Sequence, residues 1–349
     1  MSKSIGKCFD EKLSFINLYN AFYRICKFNR NRGYILKAEI DVETIICNLE
    51  DELRSGTYRT GEYRTFTIYE PKERVIMALP FRDRIVHQWY IEEFIKPYYM
   101  KRFIKDTYAC IEGRGAHLAT SNLQKYMRKM EYKSKNYYIL KCDIEKYFYN
   151  IDRSILFNIL KKVIRDKKVL NLTKVILGDL NEVSIPIGNY TSQYFANIYL
   201  NELDKYVKNE LHIKYYTRYM DDFVFLLDSK DECIRVKNLV EEFLKDKLRL
   251  KLNRKTRYFP GYTGVTFCGY KVYSTHILVC GSNKNRIKRK INGWNKEYLN
   301  GTIDYSHVRA IFNSWLGHIS HTNGYNLKNK TINRMIFIEE MKKRFKEYR

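Results

Sequence analysis

Residues 215–227 read YYTRYMDDFVFLL, two apolar, β-rich arms around the adjacent acids Asp221 and Asp222. Two neighbouring carboxylates in strand-like sequence are costly, because burial penalises each charge and each repels the other. An isolated Asp-Asp is most often a polar turn between strands. Here the step from RYM to FVFLL is short enough for a hairpin, so Asp221 is expected to project from a turn at the edge of a sheet. A second β-rich run, YYILKCDI (137–144), ends in Asp143. Three carboxylates meeting on neighbouring strands would hold two Mg²⁺ ions about 3.5–4 Å apart, the arrangement used for in-line nucleotidyl transfer. Hard oxygen ligands with open positions suit Mg²⁺ rather than zinc.

Outward from these two units, apolar spacing predicts helices over 12–28, 38–54, 81–100, about 154–163 and 230–247. Strands are expected on either side of the turn Pro71-Lys72-Glu73, and at LRLKL (248–252), GVTFCGYKVY (264–273) and HILVC (276–280). The remainder, 284–349, is helical and basic. Helices and strands alternating in this way give an α+β sheet domain followed by a helical C-terminal module.

The 349 residues carry 64 Lys+Arg against 39 Asp+Glu, a formal net charge of +25. That charge points to a polyanionic partner. It is spread along the chain: residues 281–349 hold 15 Lys/Arg against five Asp/Glu, and Arg24, Lys27, Arg30 and Arg32 cluster near the start. The 31 Tyr and 19 Phe interleave aromatic faces with this charge, suited to stacking on bases or to half-buried strand positions. The eight cysteines form no CxxC pair and no zinc spacing, and look like buried thiols of a reducing compartment. No apolar run reaches the ~18–20 residues of a membrane span, and the N-terminus lacks the apolar core of a signal peptide. A soluble, cytoplasmic protein with no membrane partner is expected.

Tyr219-Met220-Asp221-Asp222 between apolar arms resembles the catalytic box of reverse transcriptases, and further boxes of that family follow in order. FTIYEPKERVIMALPFRDRIVHQWY (66–90) and FIKDTYACIEGRGAHLA (103–119) resemble its two fingers blocks. LKCDIEKYF (140–148) resembles box A, IPIGNYTSQYFANIYLNELD (185–204) box B, LRLKLNRKT (248–256) box D and GVTFCGY (264–270) the primer grip. NSWLGHISHTNGYN (313–326) looks like part of the helical thumb. The resemblance implies a right-hand polymerase, with fingers and palm over 1–280 (fingers mainly 1–136 and part of 150–185) and a basic thumb over 281–349. Most relatives carry Gln-Gly followed by Ser-Pro in box B, whereas this chain has Ile187-Gly188 and Ser192-Gln193. In that respect, and in LGHISH, it resembles the reverse transcriptases of diversity-generating retroelements, in bacteria or a phage-infected host. Such enzymes copy a template-repeat RNA into cDNA mutated mainly at template adenines, and work with a small, basic, oligomeric accessory variability protein.

The resemblance assigns roles residue by residue. Asp143 and Asp221 are the main metal ligands for two Mg²⁺, Asp222 the third carboxylate, and Ile144 lends its backbone carbonyl. Lys72 and Arg74 clamp the triphosphate of the incoming dNTP, unless they are solvated hairpin charges. Phe148 is a steric gate against a 2′-OH, where periodicity alone would make it core. Gly188 allows close backbone approach. Ile187 replaces a Gln that in relatives contacts nucleotide and template, removing a hydrogen-bonding check on pairing. Gln193 shapes the same pocket, and Lys255 stands near the leaving phosphates or is solvated. Arg114 touches template, Gly269 and Tyr270 hold the primer terminus, and Arg286, Lys288, Arg289 and Lys290 track a nucleic-acid backbone. His318 and His321 are i,i+3 partners with a structural or RNA-contacting role rather than a metal site. Alternative readings are a retron, group II intron or phage-defence reverse transcriptase, or a non-catalytic RNA-binding scaffold; three repelling acids held together argue against the scaffold. A chain ending at the thumb is expected to lack an RNase H or endonuclease domain.

Overall fold

A computed structural model describes residues 4–27, 33–69 and 73–345. The chain divides into two compact units, each drawn from three segments: the first from 1–113, 142–223 and 235–256, the second from 114–141, 224–234 and 257–349.

In the first unit, the helix Phe15–Cys26 begins where the Ser14 hydroxyl accepts a hydrogen bond from the Asn17 amide. Its buried stripe of Leu18, Ala21, Phe22 and Cys26 packs against the helix Phe81–Tyr90. The expected helix over 12–28 is broken at its start, because Leu13 is extended and separates a short turn, Phe9–Lys12, from the longer helix. Likewise the helix expected over 38–54 is two, Gly33–Ile40 and Val42–Ser55, the latter stopped by Gly56 at φ +77°. The strands β1 (Arg64–Ile68) and β2 (Arg74–Ala78) form an antiparallel hairpin in the register Arg64↔Ala78. Pro71 and Lys72 of its turn lie outside the described residues.

The helix Tyr190–Lys205 is buried around most of its circumference, with Phe195, Ile198, Tyr199 and Leu203 in the core. A helix apolar on every side belongs inside a domain. It also buries Asn197, Asn201 and Asp204, groups that need partners there.

The strands β3 (Tyr138–Cys142), β4 (Tyr216–Tyr219), β5 (Asp222–Leu227) and β6 (Arg257–Pro260) form a sheet in the order β4-β5-β3-β6, with β3 and β6 antiparallel. The expected strand at 248–252 is not one. Leu250 and Leu252 are buried alternately, which produced the strand-like pattern. The backbone, however, turns at Arg249 (φ +50°) and touches a strand partner only at the bridge Ile144↔Leu252. The strand β6, which was not expected, takes the place beside β3.

In the second unit, β7 (Val265–Phe267), β8 (Tyr270–Val272) and β9 (Ile277–Val279) make a three-stranded antiparallel meander. The single strand expected over 264–273 folds back on itself, because Cys268 (φ +50°) and Gly269 (φ +82°) take left-handed conformations and form the turn. Four helices follow, Gly281–Leu299, Tyr305–Ile319, Tyr325–Ile332 and Ile338–Phe345, around a core that includes Ile291, Trp294, Phe312 and Met341. Asp304 caps the second of them, its Oδ1 accepting from the amides of Ser306 (2.9 Å) and His307 (3.1 Å). The helical reading of the C-terminal segment agrees with these four elements. The secondary structure is α+β with antiparallel sheets, as the sequence pattern indicates.

Candidate active site

Between β4 and β5 the chain reverses over Met220 and Asp221, with Met220 in the left-handed region at φ +59° and Asp222 opening β5. A non-glycine residue there costs energy and persists only where its surroundings hold it. The holding group is Arg218, fully buried one residue before the tyrosine of the box. Its Nη1 donates to the Met220 carbonyl (3.0 Å) and to Asn197 Oδ1 (3.1 Å). Its Nε donates to Asp204 Oδ1 (2.8 Å) and its Nη2 to Asp204 Oδ2 (2.5 Å), a two-point ion pair with both side chains at zero exposure. Asp204 also accepts from the Tyr216 hydroxyl (2.8 Å) and from Thr107 Oγ1 (2.7 Å). The Arg218 amide donates to the Asp106 carbonyl and its own carbonyl accepts from Tyr108. Burial acts to lower the Arg218 pKa, but the Asp204 carboxylate outweighs it and the guanidinium is held charged.

Asp143 follows β3. Its carbonyl accepts from the Asn253 amide (2.7 Å) and the Glu145 amide donates to the Lys251 carbonyl (3.0 Å), the two bonds that flank the bridge Ile144↔Leu252. In such a pair the groups of the bridged residue itself point away from the partner, so the Ile144 carbonyl is directed off the Leu252 side. Asp143, Asp221 and Asp222 are each half-buried and lie in the first unit. Tyr147 is fully buried, donates to the Ala196 carbonyl (2.5 Å) and lies within electrostatic reach of Asp221; burial pushes its pKa far up. Phe148 is half-buried in the short helical turn Tyr147–Tyr149, its carbonyl accepting from the Ile185 amide.

Among the described residues, no three His, Cys, Asp or Glu side chains gather closely enough to hold a metal ion. The expected donors, the carboxylates of Asp143, Asp221 and Asp222 and the carbonyl of Ile144, are all hard oxygens.

The box B segment meets the β1–β2 hairpin. The Ile187 carbonyl accepts from the Met77 amide (3.0 Å), and Gly188 sits at φ +118°. A Cβ on Gly188 would lie 2.9 Å from Ile76 Cγ2, so only glycine brings the two backbones this close. Beside Gly188 opens a groove of about 920 Å³, lined in part by Arg24, Arg64, Phe66, Arg84 and Tyr190. Arg24 pairs with Glu92, and Arg84 donates to the Leu79 carbonyl and lies over the Tyr34 ring. Also lining it is His87, bonded through Nδ1 to Thr191 Oγ1 (2.8 Å); burial lowers its pKa to about 3 and keeps it neutral. Arg74 opens β2 and is exposed, and Lys72 lies outside the described residues. Gln193 is exposed, with Oε1 3.4 Å from the Cys110 thiol. Lys255 is exposed too, its amide bonded to Asn253 Oδ1.

The remaining expected residues lie in the second unit. Gly269 and Tyr270 form the β7–β8 turn and the start of β8, and Tyr270 is only 1% exposed. On the helix Gly281–Leu299, Ile287, Ile291 and Trp294 face the core; Arg286, Lys288 and Arg289 are exposed and Lys290 half-buried. Arg114 is half-buried between Gly113 and Gly115.

Sequence reasoning missed Asp204 and Arg218. A signal was available in two ionisable residues set within apolar segments, NELD and YYTRYM, for which burial demands a counter-charge.

A model of the family "Reverse transcriptase (RNA-dependent DNA polymerase)" matches residues 70–272. The chain is 23% identical over 313 residues to the "Putative COX1/OXI3 intron 2 protein" of Saccharomyces cerevisiae, covering 70% of this chain and 34% of that one. It thus spans about a third of that relative's length. Among solved structures it is similar to apo telomerase from Candida Tropicalis, with a TM-score of 0.47, 13% identity, and 65% of this chain and 49% of that chain covered. It is also similar to telomerase from Candida Tropicalis with a TWJ fragment of telomeric RNA, at a TM-score of 0.44, 12% identity, and 86% and 64% covered.

Removing one partner of the buried pair leaves a charge without compensation. Asp204→Ala is expected to cost about 3–5 kcal/mol in urea unfolding, and Asp204→Ala combined with Arg218→Met to recover part of that loss. Equal stability of the single variant and wild type would contradict the role assigned to the pair.

Proposed function

The chain belongs to the reverse transcriptase (RNA-dependent DNA polymerase) family, and from that premise we propose that it extends a DNA primer by copying an RNA template. The observation that carries this reading is the β4–β5 turn, where a buried ion pair holds Asp221 half-exposed next to Met220. Asp143, on its pinned backbone, and Asp221 are proposed as the main carboxylates that hold divalent metal, with Asp222 as the third carboxylate and the Ile144 carbonyl as a further donor. When bound, two such ions, Mg²⁺ by the hardness of these donors, would make the primer 3′-hydroxyl more acidic and neutralise the leaving pyrophosphate.

The chain's own residues bind and orient. Arg74 and Lys72 clamp the triphosphate, the guanidinium offering two parallel donors to phosphate. Phe148 closes the space under the sugar, so that deoxynucleotides are selected. Gly188, without a side chain, lets a nucleotide approach the backbone where box B is bonded to β2. The groove lined by Arg24, Arg64 and Arg84, with aromatic walls, suits a single strand entering as template. Lys255 stands near the leaving phosphates, and the exposed Arg286, Lys288 and Arg289 follow the duplex backbone.

At a finer level, Ile187-Gly188 and Ser192-Gln193 support the diversity-generating type: a template-repeat RNA copied into cDNA with errors at adenines, together with a small basic accessory protein. An aliphatic Ile187 cannot hydrogen-bond a base or sugar, which loosens the check on pairing. The similarity to a yeast intron protein favours a second reading, an intron-type reverse transcriptase. An error spectrum concentrated at template adenines separates the two. Among the described residues no helix is long and apolar enough to cross a membrane.

Primer extension on RNA tests the reading. Asp221→Asn should lower extension by about 10³-fold or more, the scale of several kcal/mol of charge stabilisation lost. Extension surviving at near wild-type rate would refute the assigned metal site. Ile187→Gln should lower misincorporation opposite template adenine by about ten-fold, the worth of one hydrogen bond. An unchanged error spectrum, read by sequencing the cDNA, would sink that assignment.

A further inference from the structure

The phrase LGHISH places His318 near the end of the helix Tyr305–Ile319 and His321 just after it. Their surroundings, all in the second unit, form a histidine cluster on Tyr270. The Tyr270 hydroxyl lies 2.9 Å from His318 Nδ1, 3.2 Å from the His318 carbonyl and 3.3 Å from His117 Nδ1. The Tyr270 and His318 rings stack at 4.3 Å and 22°. His117, on the helix Ala116–Lys133, meets the His321 ring at 3.6 Å. On its other edge His318 Nε2 is 3.2 Å from Asn283 Nδ2, and a Cβ on Gly269 would lie 3.6 Å from both His318 Cε1 and Asn283 Nδ2. His318 also hydrogen-bonds the Gly269 backbone. One side chain of the C-terminal helices thus contacts Gly269 of the β7–β8 turn and Tyr270, which opens β8.

We propose that His318 is the positioning residue through which the C-terminal helical module fixes the Gly269–Tyr270 turn, and so the seat of the primer 3′ end, with His117 and His321 completing the joint. This rests on reading that turn as the primer seat. The Tyr270 hydroxyl has three protein partners and its ring is buried, so the residue serves the strand through the position of the turn rather than by touching it. A phenol donates one proton, and the His318 carbonyl can only accept, so at least one of the two Nδ1 atoms must donate its N–H. Neutral imidazoles supply this.

The surroundings keep the imidazoles neutral. Burial lowers the pKa of His318, and His117, Arg286 and His321 add to the effect against the Gly269 carbonyl, which raises it. Burial and His321 lower that of His117. On the Tyr270 side Cys268 is the other titratable group, and burial pushes the phenol up to about 12. For a histidine whose folded pKa lies below its free value, the stabilisation is complete above about pH 6.5 and is lost as pH falls below it toward the folded pKa. The joint therefore loosens on acidification.

The test compares wild type, His318→Phe, Tyr270→Phe and the double variant of the full chain. Primer–template affinity is read by fluorescence anisotropy and turnover by extension. Each single change should weaken primer–template binding about ten-fold, as expected for a lost buried hydrogen bond, with kcat and the KM for dNTP within about two-fold. The double variant should be no worse than the weaker single one, because both remove the same contact. His318→Asn, which keeps a hydrogen-bonding group near the Nδ1 position, should recover affinity. Wild-type affinity should fall more between pH 7 and pH 5 than that of His318→Phe. Unchanged affinity in the single variants, additive losses in the double, or a loss confined to kcat would overturn the proposal. A wild-type protein that binds primer–template but extends nothing would defeat the polymerase reading instead, leaving the affinity comparison intact.

Discussion

The guanidinium of Arg218, buried with the carboxylate of Asp204 under the Met220-Asp221 turn, is the interaction on which the candidate site depends. A charge at zero exposure costs several kcal/mol unless its donors are satisfied, and here Asp204, Asn197 and the Met220 carbonyl satisfy them. The last of these bonds gives the pair its function: it ties the left-handed Met220, and with it the orientation of Asp221, to the most buried helix of the first unit. Tyr216 and Thr107 fill the remaining acceptor capacity of Asp204, so no member of the network can move alone.

The same economy recurs around it. Asp143 is placed by its backbone, through the Asn253 amide on its carbonyl. Gly188 is placed by the bond from Met77 to Ile187 and by the absence of a side chain that Ile76 would meet. In each case the framework is held by main-chain or fully buried groups. Part of the net charge of +25 is accounted for by Arg24, Arg64 and Arg84 on the groove and by the exposed Arg286, Lys288 and Arg289 of the helix Gly281–Leu299.

What could be read from the sequence was whatever is local. The Asp221-Asp222 doublet, the apolar arms on either side and the glycine of box B are contiguous, and the turn lies where the pattern placed it. The ion pair between Asp204 and Arg218 joins a helix to a strand, and nothing in either segment alone names its partner. Alternation at Leu250 and Leu252 was correctly seen as burial but wrongly as a strand, because burial of side chains does not say whether the backbone has a ladder partner. The run 264–273 looked like one strand since its composition is uniformly β-forming; two positive φ values at Cys268 and Gly269 divide it.

On the proposed reading, the buried Asp204–Arg218 pair sets the Asp221 carboxylate for divalent metal. The most direct measurement is Mn²⁺ affinity, followed by electron paramagnetic resonance, for wild type and Asp204→Asn at a temperature where both are folded. Partners behind a metal ligand are worth about 10–100-fold in affinity. A loss of that order is expected in Asp204→Asn, although Asp204 is not among the proposed metal donors. Equal affinity in the two proteins would contradict it.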